Sequence, residues 1–142
     1  MILNPQHLKI FGNNISIGDY ATLITAPDKR IDLSTWETDK INGELQLGKY
    51  ILISPGTSIR SAQKIVIGDS TMIASDVTIT DSDWHDIYDR TDYVASPKEV
   101  IIQENVWIGE KSLILKGSKI GKNSIIGAVS YTHLRAHETE YD

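Results

Sequence analysis

The sequence predicts an all-β chain wound as a parallel β-helix of six-residue repeats, and three observations predict it. From Ile102 onward every sixth residue is isoleucine: Ile102, Ile108, Ile114, Ile120 and Ile126. The same register runs upstream through Phe11, Ile17 and Leu23, through Leu47, Ile53 and Ile59, and through Ile67, Ile73 and Ile79. Seven of the ten glycines directly follow a register residue: Gly12, Gly18, Gly48, Gly68, Gly109, Gly121 and Gly127. Four positions after the apolar residue stands something small or β-branched, such as Ala21, Thr57, Thr71, Val77, Val106, Ser112, Ser118 or Ser124. A period of six matches neither the 3.6 of a helix nor the 2 of an alternating strand. It is the period of stacked hexapeptide coils.

Each element follows from that reading. One hexad makes one flat side, and three sides close a triangular coil. The register residue points inward and stacks on its counterpart in the next coil. The glycine after it meets a tight backbone demand at the corner, and the small residue tucks under the next corner. No coil buries its apolar face alone, so several must stack.

Two stretches interrupt the hexads. The first, from about Thr25 to Glu44, keeps the phase, with Ile41 also on register, and reads as degenerate coils with a protruding corner loop. A two-residue slip between Ile59 and Ile67 predicts a small bulge at Ser61–Lys64. The second interruption, Thr80 to Glu99, reads DSDWHDIYDRTDYVASPKE after its first residue. A segment this polar cannot form coil wall, so a loop protrudes around 80–99. Long loops in compact folds are usually functional.

Composition narrows the function classes. The chain has 142 residues, 40% of them apolar, and a net charge of −5. One domain is expected, and the acidic balance argues against a nucleic-acid partner. No apolar run approaches membrane-spanning length and the start lacks a signal-peptide pattern. Cysteine is absent, which excludes disulfides, thiolate nucleophiles and thiolate-bound metal, and is compatible with a cytoplasmic location.

The polar loop, followed by VIIQENVWIG at Val100–Gly109 and ILKGSKIGKNSIIGA at Ile114–Ala128, resembles the hexapeptide-repeat acyltransferases. The resemblance is to the bacterial sugar and polysaccharide O-acetyltransferases in particular, and it covers most of Ile10 to Ala128. It implies a left-handed winding, an acyl-CoA donor (usually acetyl-CoA) as co-substrate with no permanently bound cofactor, and a small hydroxyl-bearing acceptor. It also implies a homotrimer with its sites between subunits.

By the same resemblance His85 is the catalytic base. The chemistry agrees, since acyl transfer from a thioester to a hydroxyl needs a group that takes the acceptor proton, and imidazole titrates near working pH. Asp83 and Trp84 are candidates to bind the acceptor or orient His85. Trp107, Gly109, Glu110, Gly127 and Ala128 are candidates to hold the donor. Trp107 is expected to face outward, because Ile108 is the inward residue. Lys111, Lys116, Lys119 and Lys122 form a basic run that would steer coenzyme A phosphates. His7 reads as a surface residue. No metal site is expected: a γ-class carbonic anhydrase needs three zinc-binding histidines, and outside the tail only His7 and His85 are present. A non-catalytic assembly scaffold is the other reading of the same coils.

After Ala128 the chain reads VSYTHLRAHETEYD, which breaks the hexad register and resembles a translated sequencing adapter. The expected organisation is a β-helix domain over 1–128, truncated, with a non-native tail over 129–142.

Overall fold

A computed structural model describes residues 1–84, 96–132 and 135–136. The described chain is a left-handed parallel β-helix with three faces, each a parallel sheet of six short strands. Face I holds Ile2–Leu3, Thr22–Ile24, Leu52–Ile53, Met72–Ile73, Trp107–Ile108 and Ile125–Ile126. Face II holds Leu8–Phe11, Ile31–Thr35, Ser58–Ser61, Thr78–Thr80, Leu113–Ile114 and Tyr131–Thr132. Face III holds Ile15–Ile17, Leu45–Leu47, Ile65–Ile67, Val100–Ile102, Lys119–Ile120 and Arg135–Ala136. One 3₁₀ turn, Pro5–His7, joins the first two strands.

The inward columns follow the hexad register. On face I, Leu23, Ile53, Ile73, Ile108 and Ile126 stack in ladder partnership. On face II the column is Leu33, Ile59, Ile79 and Ile114, and on face III it is Leu47, Ile67, Ile102 and Ile120. All of these are buried and merge into one core. Sequence alternation adds a second inward set on face III, Leu45, Ile65 and Val100. The small corner residues sit as expected. Ser112 donates to the carbonyls of Gly109 and Gly127 at 2.8 and 3.1 Å, and Ser118 and Ser124 close their own turns in the same way.

The glycines answer a demand between coils. A Cβ built on Gly109 would lie 2.5 Å from the Ala128 nitrogen, so the corner of one coil rests on the backbone of the next. Left-handed backbone occurs elsewhere in the corners, at residues such as Tyr20, Tyr50, Ser70, Asn105 and Asn123. The last two join side chain to side chain at 2.8 Å across adjacent coils, and the two tyrosines stack at 5.1 Å.

Three expectations are corrected. Phe11 is not the register residue of its side: Ile10 pairs with inward Leu33, while Phe11 pairs with Ser34 and points outward. The turn after it carries one extra residue, which a count of six cannot register. The first interruption holds no additional coils. From Leu23 to Leu33 is ten residues and from Leu33 to Leu47 fourteen, so two corner excursions add four and eight residues to a single coil. Together they equal two hexads, which is why the phase survives and why Ile41 falls on register without joining a strand. Finally, the ladder does not stop at Ala128. Leu113–Ile114 pairs with Tyr131–Thr132 and Lys119–Ile120 with Arg135–Ala136, so Thr132 falls six residues after Ile126, in register opposite Ile114.

Candidate active site

The second interruption leaves the prism at the corner between faces II and III, and both its stems are anchored. Asp81 is fully buried at the first stem. Its carboxylate accepts from the Ser61 hydroxyl at 2.8 Å and from the backbone N–H groups of Ala62, Gln63 and Lys64 at 2.7, 2.9 and 2.7 Å. Those three amides form the bulge expected at Ser61–Lys64. They turn the corner without ladder partners, and the carboxylate from the next coil supplies acceptors that the backbone lacks. The Asp81 carbonyl in turn accepts from Lys98 N–H at 2.9 Å, which ties the outgoing stem to the incoming one.

Asp83 and Trp84 follow on the first stem. Asp83 forms an ion pair with Lys116 at 2.8 Å, and the same ammonium donates to the Ser96 carbonyl at 3.3 Å. One lysine from the next coil therefore clamps both stems. Trp84 has left-handed backbone, and its indole N–H donates to Thr80 Oγ1 at 3.0 Å. His85, together with Asp86, Tyr88 and Arg90, lies outside the described residues.

The donor-side candidates gather elsewhere. Trp107 lies on face I, pairs with Met72 and Ile125, and is 52% exposed, facing outward as its register requires. Gly109, Glu110, Gly127 and Ala128 meet at the corner between faces I and II, where Gly109 N–H donates to the Ile126 carbonyl and Val129 N–H to the Glu110 carbonyl, at 2.8 and 2.7 Å. The same corner carries Lys29, whose ammonium is held above its usual pKa first by a hydrogen bond and then by the charge of Asp76, with burial opposing and Glu110 adding. Within one chain this corner and the Asp83–Trp84 stem stand at opposite edges of face II, and Trp107 lies beyond the corner on face I.

The basic run is not a patch. Lys111 sits at the corner of faces I and II, Lys116 at that of II and III, Lys119 on face III, and Lys122 at the corner of III and I. Eighteen residues travel once round the prism, so neighbours in sequence point in different directions. Lys116 and Lys119 are also paired, with Asp83 and with Glu99. His7 is half-buried, with Nδ1 enclosed, and does not lie open on the surface. Among the described residues no three histidine, cysteine, aspartate or glutamate side chains converge as metal ligands.

A row of residues that sequence reasoning did not assemble runs up face II. Phe11, Ser34, Arg60 and Thr80 are ladder partners in the outward register. Trp36 folds back over this row and donates its indole N–H to Ser34 Oγ at 3.2 Å. Trp36 contacts Phe11 at 4.7 Å on one side and Trp84 edge-on at 6.1 Å on the other.

Comparison with known proteins bears on these coils directly. Residues 99–130 match the family described as bacterial transferase hexapeptide (six repeats). The chain is 35% identical over 99 residues, 62% of its length, to a putative lipopolysaccharide biosynthesis O-acetyl transferase, WbbJ, of Escherichia coli (strain K12). It is 41% identical over 68 residues, 46% of its length, to a galactoside O-acetyltransferase of Lactococcus lactis. It spans 50% of the first relative and 32% of the second. Among solved structures, AntD, an N-acyltransferase from Bacillus cereus in complex with dTDP and 3-hydroxybutyryl-CoA, superposes with a TM-score of 0.71 at 19% identity. That match covers 94% of this chain and 70% of AntD. The polySia-specific acetyltransferase NeuO superposes with a TM-score of 0.52 at 24% identity, covering 92% of this chain and 64% of NeuO. These structural likenesses establish the hexapeptide-repeat fold. No described helix is long and apolar enough to cross a membrane.

Proposed function

We propose that the chain carries the acyl-transferring β-helix of an acetyl-CoA-dependent O-acetyltransferase that acts on a sugar hydroxyl. The observation that carries this reading is the run of transferase hexapeptides over 99–130, in a chain whose two curated relatives are both named O-acetyltransferases of sugar-containing molecules.

The step is direct transfer. His85 accepts the proton of the acceptor hydroxyl while that oxygen attacks the thioester carbonyl carbon. The C–S bond breaks, and the coenzyme leaves as a thiol after taking up a proton. Proton removal by a base whose pKa lies near neutrality is the contribution expected of the imidazole. Backbone N–H groups of the coil wall are the donors available to the developing oxyanion. The Asp83–Lys116 pair and the Asp81 network position the stem that carries His85.

Trp107, Gly109, Glu110, Gly127 and Ala128 take the donor side. Because the corner residues stand across face II from the stem, and Trp107 beyond them on face I, the complete site needs two chains, and a homotrimer supplies that arrangement. Face I supports the assembly: Met72, Trp107 and Ile125 form an outward apolar row, each about half exposed or more in the single chain.

The test is thiol release from acetyl-CoA in the presence of a panel of sugars. Release that depends on one class of sugar is expected. His85→Ala should slow turnover by roughly 10²–10⁴, the usual loss for a general base, with coenzyme A affinity unchanged. A full complement of turnover in His85→Ala would remove the base assignment. Absence of any release would leave the coils as a scaffold.

A further inference from the structure

We propose that the aromatic row on face II, formed by Phe11, Trp36 and Trp84 with Arg60 among them, is a binding subsite for an extended glycan chain. The inference rests on the sugar-acceptor reading and deepens it: the acceptor is an oligosaccharide of several units, held along the prism, rather than a single sugar.

Three features of the row point to a sugar ligand. The rings come from three coils, separated by 25 and 48 residues of sequence, and yet touch in one line at 4.7 and 6.1 Å. The only polar atom of each indole is already satisfied inward, Trp36 on Ser34 and Trp84 on Thr80, so the rings are fixed in orientation and keep apolar surface outward. Phe11 and Trp36 are 47% and 41% exposed. An aromatic face carries partial negative charge, and the C–H face of a pyranose presents weakly positive hydrogens to it while its hydroxyls stay in water.

Arg60 supplies the polar contact. It lies in the same outward row, between Ser34 and Thr80, is exposed, and makes no ion pair with any described residue. Its guanidinium donates in a planar fork suited to vicinal hydroxyls or to a sugar carboxylate. The row from Phe11 to Thr80 covers three strand spacings, about 14 Å, which is more than one hexose ring spans. It ends at Trp84, on the stem that leads into His85. A glycan laid on it would present one terminal or internal unit to the loop.

Binding measured without any donor separates this proposal from the transfer reaction. Isothermal titration of the full chain is run with maltotetraose, chitotetraose, tetragalacturonic acid and α2,8-linked tetrasialic acid, each against its own monosaccharide. At least one tetramer is expected to bind tenfold or more tightly than its monomer. That affinity should fall about tenfold in Trp36→Ala and in Arg60→Gln. Should Trp36→Ala lose the far-UV signature of the fold, Phe11→Ala, at the exposed end coil, carries the test in its place. Tetramers that all bind within twofold of their monomers overturn the proposal, as do variants that bind like the parent. Tetramer binding without thiol release from acetyl-CoA would instead refute the transferase reading and leave the glycan subsite standing.

Discussion

Replacing Asp81 tests whether the loop stem is held as described. The carboxylate is buried and accepts four hydrogen bonds, three from backbone amides that have no ladder partner. Asparagine keeps the shape but offers one acceptor oxygen. In its better orientation it retains the three contacts now made to Oδ2 and sets an NH₂ against the Ala62 N–H. Each retained bond loses its charge assistance, roughly 1 kcal/mol, and the stranded Ala62 donor costs roughly 1–3 kcal/mol. Relief from burying a charge offsets part of this, which leaves about 2–4 kcal/mol for Asp81→Asn. Asp81→Ala should cost about 1 kcal/mol more, since Ala62 is fully buried while Gln63 and Lys64 reach water in part. Ser61→Ala should cost less, because the three corner amides keep the carboxylate and what is lost is one donor to it and the long 3.3 Å bond from the Glu44 N–H to Ser61 Oγ. Urea unfolding followed by circular dichroism, at fixed chain concentration, reads the effect. With slopes of about 1–3 kcal/mol per molar, the midpoint of Asp81→Asn should fall by roughly 0.7 M or more. A midpoint within a few tenths of a molar of the parent would mean that the carboxylate does not hold the corner.

Other expectations can be checked alongside. Gly109→Ala drives a Cβ to 2.5 Å from the Ala128 nitrogen, against backbone that cannot swing away, so it should destabilise by roughly 1–3 kcal/mol in the same urea assay and weaken acetyl-CoA binding. Ile79→Ala empties the middle of the face II column, where Ile59 and Ile114 are its ladder partners, and should cost about 2–5 kcal/mol. Lys116→Met removes the clamp on both loop stems. It should lower turnover several-fold with little change in donor affinity, and parental turnover would separate the clamp from catalysis.

The columns were legible because inward burial repeats with the coil side, and isoleucine at that period has no competing explanation. The register failed where the period cannot see geometry. Ile10 and Phe11 are adjacent and both apolar, and counting back six from Ile17 selects the wrong one; only the partnership with Leu33 decides it. Excursions of four and eight residues cancel in phase, so a single coil looked like several. The four lysines looked like a patch because sequence distance was taken for distance in space, whereas a coil turns each of them to another side. Asp81 was visible as one acid among several, but its role depends on a bulge twenty residues earlier, in the preceding coil. The aromatic row is harder still. Phe11, Trp36 and Trp84 share no spacing, since two of them stand in corner excursions whose lengths no periodic rule sets.

A prism wall built this way has little room for chemistry: its inside is filled by isoleucine and its faces are flat. Reactive groups stand best at corners, and here the Asp83–Trp84 stem and the Gly109–Glu110 turn lie at two corners separated by the width of face II. A loop stem clamped by Lys116 and Asp81 is fixed to its own corner, so it does not slide across the face to meet Gly109 and Glu110 of the same chain. If the donor and the base act together, they belong to different copies, and activity then depends on assembly. Specific turnover should therefore fall on dilution through the range where light scattering shows the assembly dissociating, and Trp107→Glu, which sets a charge in the apolar row of face I, should move that range to higher concentration. Turnover per chain that stays constant while the protein becomes monomeric would place both halves of the site on one prism, and the division between corners would lose its meaning.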